Sequence, residues 1–318
     1  MIIDIHAHLS PPEAARRFPM PPSLTDVDGM LAARALAGID LTIIGSPVGA
    51  GAMARVPGVD NYAQPRDQLR SFHAWMSGLI ASFPDQLRGY VYANPLGDDD
   101  HLEGVRQTLA DPAFVGLITN SSVHGELLGS PRADSFFALA AETGVPVLVH
   151  APAEPAGTER VDDIGFVEQI GRFCDLTMGM AMIAFAGWLD KYPGLRLIGA
   201  TGGGAMALLP ERLQTAARPR HWGGGAPPAQ SAAPPAADPG AALQRMYVDT
   251  SPLSPAHLSL NAEVLGPERM LFGTDSPPLS VPLEECIRMI EKLPVDKASQ
   301  QLILGGNAEA LFDLRSRP

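Results

Sequence analysis

The sequence predicts a closed (β/α)8 barrel, and three observations carry that expectation. Eight short, mostly apolar segments recur along the 318 residues, separated by stretches with helical periodicity. Most of these segments are apolar on both faces, as strands of a parallel sheet covered by helices must be. Histidines or an aspartate stand at the ends of the first, fifth and eighth segments, and barrels place their reacting groups at that end of the strands. An open doubly wound sheet is the alternative for the same alternation.

Taken in order, the strand candidates are 2–5, 41–44, 89–93, 114–118, 146–150, 195–200, 246–249 and 270–272. Each is flanked by Gly, Pro, Asp or Asn, which punctuate strands. Between them, VDGMLAARALAG, with Thr25 ahead of it, ends at Gly38, placed as a helix C-cap. DDDHLEGVRQTLA carries acids in its first turn and apolar Leu102, Val105 and Leu109 near a 3.6-residue period. SPRADSFFALAAETG closes on Gly144, and VPLEECIRMIEKL follows the last strand. The stretch 162–192 has room for two helices, with a break expected near 177–180. His73, His101 and His257 fall in helical patterns and are expected on the surface.

One composition shift stands out. Residues 219–242, between strands six and seven, are dominated by Gly, Pro and Ala and lack the apolar bulk to pack a core. They read as a long loop on the face of the reacting groups. Elsewhere, hydrophobic residues make up 46% and charged residues 18%, a mixture that can bury a large core and excludes wholesale disorder. Lys and Arg number 23 against 35 Asp and Glu, a net charge of −12. That balance argues against nucleic-acid or anionic-membrane partners but is neutral toward a small anionic substrate. Two cysteines, Cys174 and Cys286, cannot form a disulfide framework. No uncharged stretch reaches the roughly 18–20 residues of a membrane span, and MIIDIHAHL lacks the basic start and apolar run of a signal peptide. The expectation is a cytoplasmic protein acting on a small molecule.

His6 and His8 form an HxH pair at the end of the first strand. Residues i and i+2 of a strand share a face, with Cβ atoms about 7 Å apart, so two imidazoles can converge on one ion. Spacing alone equally allows two solvated histidines. The Ile and Leu around them favour chelation, because polar groups at the mouth of an apolar strand need partners. Asp4 points to the same face and its role stays open. His150 ends the fifth strand and Asp275 follows the eighth. Singly, each is as readily a satisfied core histidine or a helix cap; together they fall on one rim of a barrel. Three imidazoles and a carboxylate suit Zn²⁺ and also accept Mn²⁺ or Fe²⁺.

With those residues placed, the chain resembles the amidohydrolase superfamily, in the branch that contains aminocarboxymuconate semialdehyde decarboxylase and related aromatic-acid decarboxylases. The likeness runs from Met1 to about Leu314, through DIHAHL, PDQLRGYVYANPL, GVPVLVHAP, KYPGLRLIGATGGGAMALLPERL, MYVDTSP, GPERMLFGTDSPP and GGNAEALFDL. It implies a single barrel domain over 1–318, of the metal-dependent hydrolase type. It also implies one divalent ion, zinc in the nearest branch, held by His6, His8, His150 and Asp275. Arg212, in PERL, matches an arginine that anchors its segment or touches substrate. Relatives are often dimers, so the resemblance also admits a homodimer.

One departure matters more than the matches. The family reads AHGGG where this chain reads Ala200-Thr201-Gly202-Gly203-Gly204. The family's histidine moves a proton beside the metal. A threonine hydroxyl does not titrate near neutral pH, and losing a general base costs about 10²–10⁴-fold in rate. His124, after the fourth strand, and Asp249, closing the seventh, are expected on the same rim as substitutes; a solvated loop histidine and a turn residue are the plain alternatives. Met178, Met180 and Met182 with Phe185 would line an apolar pocket wall or simply pack a helix. TGGG lacks the GKS/T ending of a phosphate loop. The expected activity is therefore non-oxidative decarboxylation, a carbon–carbon lyase reaction, of an aromatic or unsaturated carboxylic acid. Asp275, His124 and Thr201 would serve the chemistry, and Arg212 and Met178 would contact the substrate. A metal-dependent hydrolase of an amide, lactone or carbon–carbon bond, and a catalytically altered member, are the alternatives.

Overall fold

A computed structural model describes residues 1–216, 238–251 and 254–315. Eight parallel strands follow one another around it: β1 (Ile3–His8), β2 (Leu41–Gly45), β3 (Leu87–Tyr92), β4 (Phe114–Asn120), β5 (Val147–His150), β6 (Leu197–Gly199), β7 (Tyr247–Asp249) and β8 (Met270–Leu271). Each pairs with the next in chain order. The first and last segments meet through main-chain bonds, Ile5 N–H to Phe272 O at 2.9 Å and Asp275 N–H to His6 O at 2.7 Å. The sheet is thus rolled into a barrel, not the open doubly wound alternative, whose strand order would reverse midway.

Seven longer helices cover the outside: α1 (Val27–Ala37), α2 (Arg66–Ser82), α3 (Asp99–Leu109), α4 (Asp134–Thr143), α5 (Arg172–Ala186), α6 (Pro255–Val264) and α7 (Leu283–Glu291). Local chemistry fixes their ends. Asp26, one residue after Thr25, caps α1 by accepting from Gly29 N–H at 2.9 Å, and Gly38 ends it with φ 75°. Asp98 caps α3 in the same way through His101 N–H at 2.8 Å. α7 buries Leu283, Cys286, Ile287 and Ile290, the i, i+3, i+4, i+7 stripe of a core-facing helix.

Two expectations are corrected. The helix through 162–192 does not break near 177–180. A short turn, Ile164–Phe166, and a π-helical turn, Val167–Gly171, lead into α5, which runs unbroken to Gly187 at φ 78°. Gly179 is there for close approach: a Cβ at that position would sit 2.6 Å from the Ser121 Cβ. The expected loop 219–242 lies outside the described residues up to 237, but its end is a helix, Pro239–Gln244. Asp238 caps it through Ala241 N–H at 3.0 Å, and Ala242 and Leu243 are buried. The Asp-Pro pair was a helix-start signal hidden by the Gly/Pro/Ala composition.

Tyr90 plugs the barrel. Its hydroxyl donates to Ile5 O at 2.8 Å across the interior. A Cβ on Gly116 would lie 2.8 Å from its ring, and one on Gly45 3.1 Å from its Cβ, so glycines on both flanks make room for it. No helix among the described residues is long and apolar enough to cross a membrane.

His73 is not on the surface. It sits on the buried face of α2 with Leu69, Phe72, Met76 and Ile80, and its Nε2 accepts Tyr92 N–H at 3.1 Å. Burial first, and then the charge of His101, push its pKa down to about 4 from 6.5. Above pH 6.5 the ring is neutral in folded and unfolded chains alike. Below it, the unfolded chain takes up a proton that the folded chain refuses, so stability falls as pH drops from about 6.5 to 4. His73→Gln keeps an acceptor for Tyr92 and should remove on the order of 2–3 kcal/mol of that pH dependence. Urea unfolding of both proteins at pH 7 and pH 4.5 measures the difference.

Candidate metal centre and active site

The pleat of β1 turns Asp4, His6 and His8 into the barrel, with both imidazoles at its C-terminal mouth. His6 Nε2 and His8 Nε2 lie 3.1 Å apart. Asp275 Oδ1 is 3.0 Å from His8 Nε2 and 3.5 Å from His6 Nε2. The His150 ring stands 5.2 Å from that of His6 and 5.1 Å from that of His8, both at near right angles. One ligand atom from each of the four residues falls within 4.8 Å of all the others. The four strand-end residues therefore meet, and the three histidines are buried, not solvated.

The hydrogen bonds behind the rings show that the set fits a cation. His6 Nδ1–H donates to Asp249 Oδ2 at 2.5 Å, His8 Nδ1–H to Gly45 O at 3.1 Å and His150 Nδ1–H to Ala151 O at 2.7 Å. Each acceptor fixes the proton on Nδ1 and turns the Nε2 lone pair inward. Three lone pairs and a carboxylate oxygen then face one another within 4.8 Å. Burial opposes charge on His6, but Asp275, Asp249 and Asp4 outweigh it and lift its pKa to about 9. Burial likewise opposes charge on Asp275, and the three histidines outweigh it and hold that carboxyl well below its usual range. His150, buried beside His8 and His6, is held well below the ordinary imidazole value.

Two neighbouring networks position it. Asp249 is not a simple turn residue. Its Oδ2 orients His6 and accepts from Ser251 Oγ–H at 2.8 Å, while its Oδ1 accepts Gly202 N–H at 2.8 Å. Asp4 accepts Thr274 N–H at 3.0 Å, Thr274 Oγ–H at 2.7 Å and Arg34 Nη2–H at 3.0 Å. That cluster fixes the residue before Asp275, whose own backbone is left-handed at φ 53°.

Other expected site residues stand differently. Thr201 is half-buried at φ 47°, its N–H donating to Ser251 Oγ at 3.2 Å. His257, expected on the surface, is half-buried on α6 and bonds toward the backbone of Gly202 and Gly204; burial, the leading cause, lowers its pKa. His124 does not join the centre. β4 runs on to Asn120, and a hairpin (Ser122–Val123 with Glu126–Leu127) carries His124 outward, its side chain 64% exposed and 3.4 Å from Asp60 Oδ2. There it lines a separate polar cavity of about 470 Å³ with Asp60, Asn94, His101 and Arg132. Arg212 is exposed on the helix Pro210–Ala216, with no bond to the four ligands. The methionine wall is not formed: Met180 is fully buried in the core, while Met178 and Met182 are each 40% exposed. A two-residue spacing scatters side chains around a helix, whereas it aligns them on a strand.

Three contributors escaped the sequence reading. Asn120 is the register partner of His150, is fully buried, and has no hydrogen bond at either amide atom. Arg172 opens α5 with its Nε buried and unpartnered. Asp175 accepts Ser121 Oγ–H at 2.5 Å, Ser122 Oγ–H at 2.7 Å and Ala156 N–H at 2.7 Å, tying the loop after β5 to the end of β4. The polar run Thr119–Ser122 closing an apolar strand was the available signal for the first.

This barrel and its buried three-histidine, one-aspartate cluster define a chain of the amidohydrolase family, to which it belongs by a match over residues 3–314. Among individual proteins, it is 22% identical over 263 residues to the 2-amino-3-carboxymuconate-6-semialdehyde decarboxylase of Dictyostelium discoideum, covering 80% of this chain and 70% of that one. Its fold matches 5-carboxyvanillate decarboxylase from Sphingomonas paucimobilis at a TM-score of 0.81, with 20% identity and 98% of both chains covered. It also matches a dihydroxybenzoic acid decarboxylase from a Polaromonas species, which carries manganese and the inhibitor 2-nitroresorcinol, at 0.79, with 17% identity over 99% of this chain and 97% of that one.

Elemental analysis should find close to one divalent ion per chain. His8→Ala or His150→Ala should reduce the content at least tenfold. Asp249→Asn should keep all four ligands and weaken metal affinity about 10–100-fold, read by competition with a chromogenic chelator while circular dichroism reports an intact fold.

Proposed function

We propose that the protein is a metal-dependent, non-oxidative decarboxylase of an aromatic or unsaturated carboxylic acid. The observation that carries the reading is a four-ligand centre containing a carboxyl group, Asp275, with a threonine where a base would stand. Hydrolysis needs a base to generate its nucleophile. Decarboxylation needs an electron sink at the substrate's oxygens and a proton delivered to carbon. The decarboxylase names of the relatives support the same choice.

A divalent ion held by His6, His8, His150 and Asp275 would supply a Lewis acid for those oxygens. Zinc suits the donor set, and manganese, the ion in the Polaromonas relative, suits it as well. In the reaction the bond from carbon to the carboxylate breaks, its electron pair stays on carbon, CO2 leaves, and a proton replaces it. Asp275 turns Oδ1 to the imidazoles, and 21% of its side chain faces the mouth, so Oδ2 can carry the incoming proton. The Asn120 amide, beside His150, can donate to a substrate oxygen and hold the acid in register.

Metal-loaded protein should release CO2 from a hydroxybenzoate or muconate-type acid without oxidant. In D2O one deuterium should appear at the vacated carbon. Asp275→Asn should lower the rate by at least about 10²–10⁴-fold, whereas Thr201→His should leave decarboxylation within a few-fold. Incorporation of ¹⁸O from water into the product, with no CO2 from any acid, would overturn the reading in favour of a hydrolase.

A further inference from the structure

Outside the barrel wall, α1 and the segment that leads from Asp275 into α7 enclose a cavity of about 390 Å³. None of the four ligand residues lines it. Met30 and Leu36 from α1 and Leu279 from the segment after Asp275 give it apolar walls. Arg34 also belongs to its lining, and that side chain is only 6% exposed. A guanidinium carries five N–H donors. Here Nε–H donates to Thr42 Oγ at 2.8 Å, and Nη2 serves both Asp4 Oδ2 at 3.0 Å and Ser276 O. Nη1 has no acceptor among the described residues, yet it is not sealed in the core. It therefore opens on the cavity that its side chain lines. Two donors of a side chain more than nine-tenths buried are left for whatever enters, and a buried donor without an acceptor is costly.

The charge around the cavity selects the acceptor. Asp4 already matches the charge of Arg34, and two more carboxylates, Asp26 and Glu284, line the same space. An entering anion would meet both of them and be repelled. An uncharged carbonyl oxygen accepts from Nη1 without that cost. Asp26 takes Gly29 N–H at Oδ1, 2.9 Å away, which leaves lone pairs on both carboxylates for an N–H of the ligand. An apolar body, one carbonyl oxygen and one N–H describe an amide, and the volume suits a small molecule. We propose that this cavity is a second binding site, which takes a small uncharged amide with an apolar body and whose occupancy is felt at Asp275. The link runs through Arg34. Its guanidinium holds the chain just after Asp275 at Ser276 O, and through Asp4 it holds Thr274 just before. Asp275 has a left-handed backbone at φ 53°, costly for a residue with a side chain, so its placement depends on those bonds. A ligand in the cavity braces Arg34 and the segment after Asp275 together, and metal affinity rises with it.

The test is calorimetry on the manganese-loaded full chain, with benzamide and toluene as probes. Wild type should bind benzamide with a dissociation constant of about 1 mM or tighter. Toluene, which has the apolar body and no acceptor, should bind at least about tenfold more weakly. Ala33 is exposed on α1 and lines the cavity, so Ala33→Phe fills the space without touching the core or the centre. It should lower benzamide affinity at least about tenfold. Competition with a chromogenic chelator reads the link. Saturating benzamide should tighten manganese binding about fivefold in wild type and leave Ala33→Phe unchanged. No binding of benzamide, equal affinity for toluene, or an affinity that Ala33→Phe does not lower, as binding at the metal centre would give, each overturns the site. Manganese affinity indifferent to saturating benzamide overturns the link to Asp275. Metal content and circular dichroism confirm that the variant is folded and loaded.

Discussion

Three imidazole lone pairs and a carboxylate oxygen held within 4.8 Å of one another repel unless positive charge sits among them. The rest of the mouth is arranged around that constraint. Asp249, Gly45 O and Ala151 O hold the three Nδ1 protons, so the rings cannot turn their lone pairs away. Each acceptor comes from a different strand end: β7, β2 and the residue after β5. The barrel's closure and the orientation of the ligands are therefore one fact. A slip of one residue in any of those strand registers would remove an acceptor and release a ring.

Asp4 does for the eighth strand what those acceptors do for the histidines. It is fully buried one pleat below His6, and it bonds Arg34 from α1 and both polar hydrogens of Thr274. Burial pushes the Asp4 carboxyl up and, as the leading cause, the Arg34 guanidinium down, so burial works against both charges. Their pairing is tolerable because the remaining lone pairs are satisfied. Arg34 also donates to Ser276 O, so one guanidinium grips the chain just after the Asp275 ligand while Asp4 grips it just before. The left-handed backbone of Asp275 is held from both sides.

Much of this was legible in the sequence, because it follows from period and position. The alternation of β1 puts His6 and His8 on one face whatever surrounds them, and strand counting puts His150 and Asp275 on the same rim. The failures have physical causes. His124 lies past a strand end, where the direction of a turn is set by tertiary packing; β4 continued to Asn120 and the hairpin carried it out. The break expected near 177–180 is absent, and Gly179 within it is small because α5 presses on Ser121. His73 was masked because a histidine on a helix looks like surface until the buried neighbours at 69, 72, 76 and 80 are counted. Arg172 left no pattern in the sequence, and Asn120 left only the polar run Thr119–Ser122 at the end of an apolar strand.

The TGGG segment is held through its backbone and not through the side chain at 201. Thr201 is β-branched and sits at φ 47°, a conformation that is costly for such a residue. The surrounding bonds over-determine it: Thr201 N–H on Ser251 Oγ, Gly202 N–H on Asp249 Oδ1, and Gly202 O accepting from Asn261 Nδ2–H at 3.1 Å. The segment is kept because Gly202 fixes Asp249, which fixes His6, irrespective of what side chain stands at 201. The side chain at 201 is therefore free to differ without disturbing the ligands. A divalent ion would balance the carboxylates of Asp275 and Asp249, and Asp4 is balanced by Arg34.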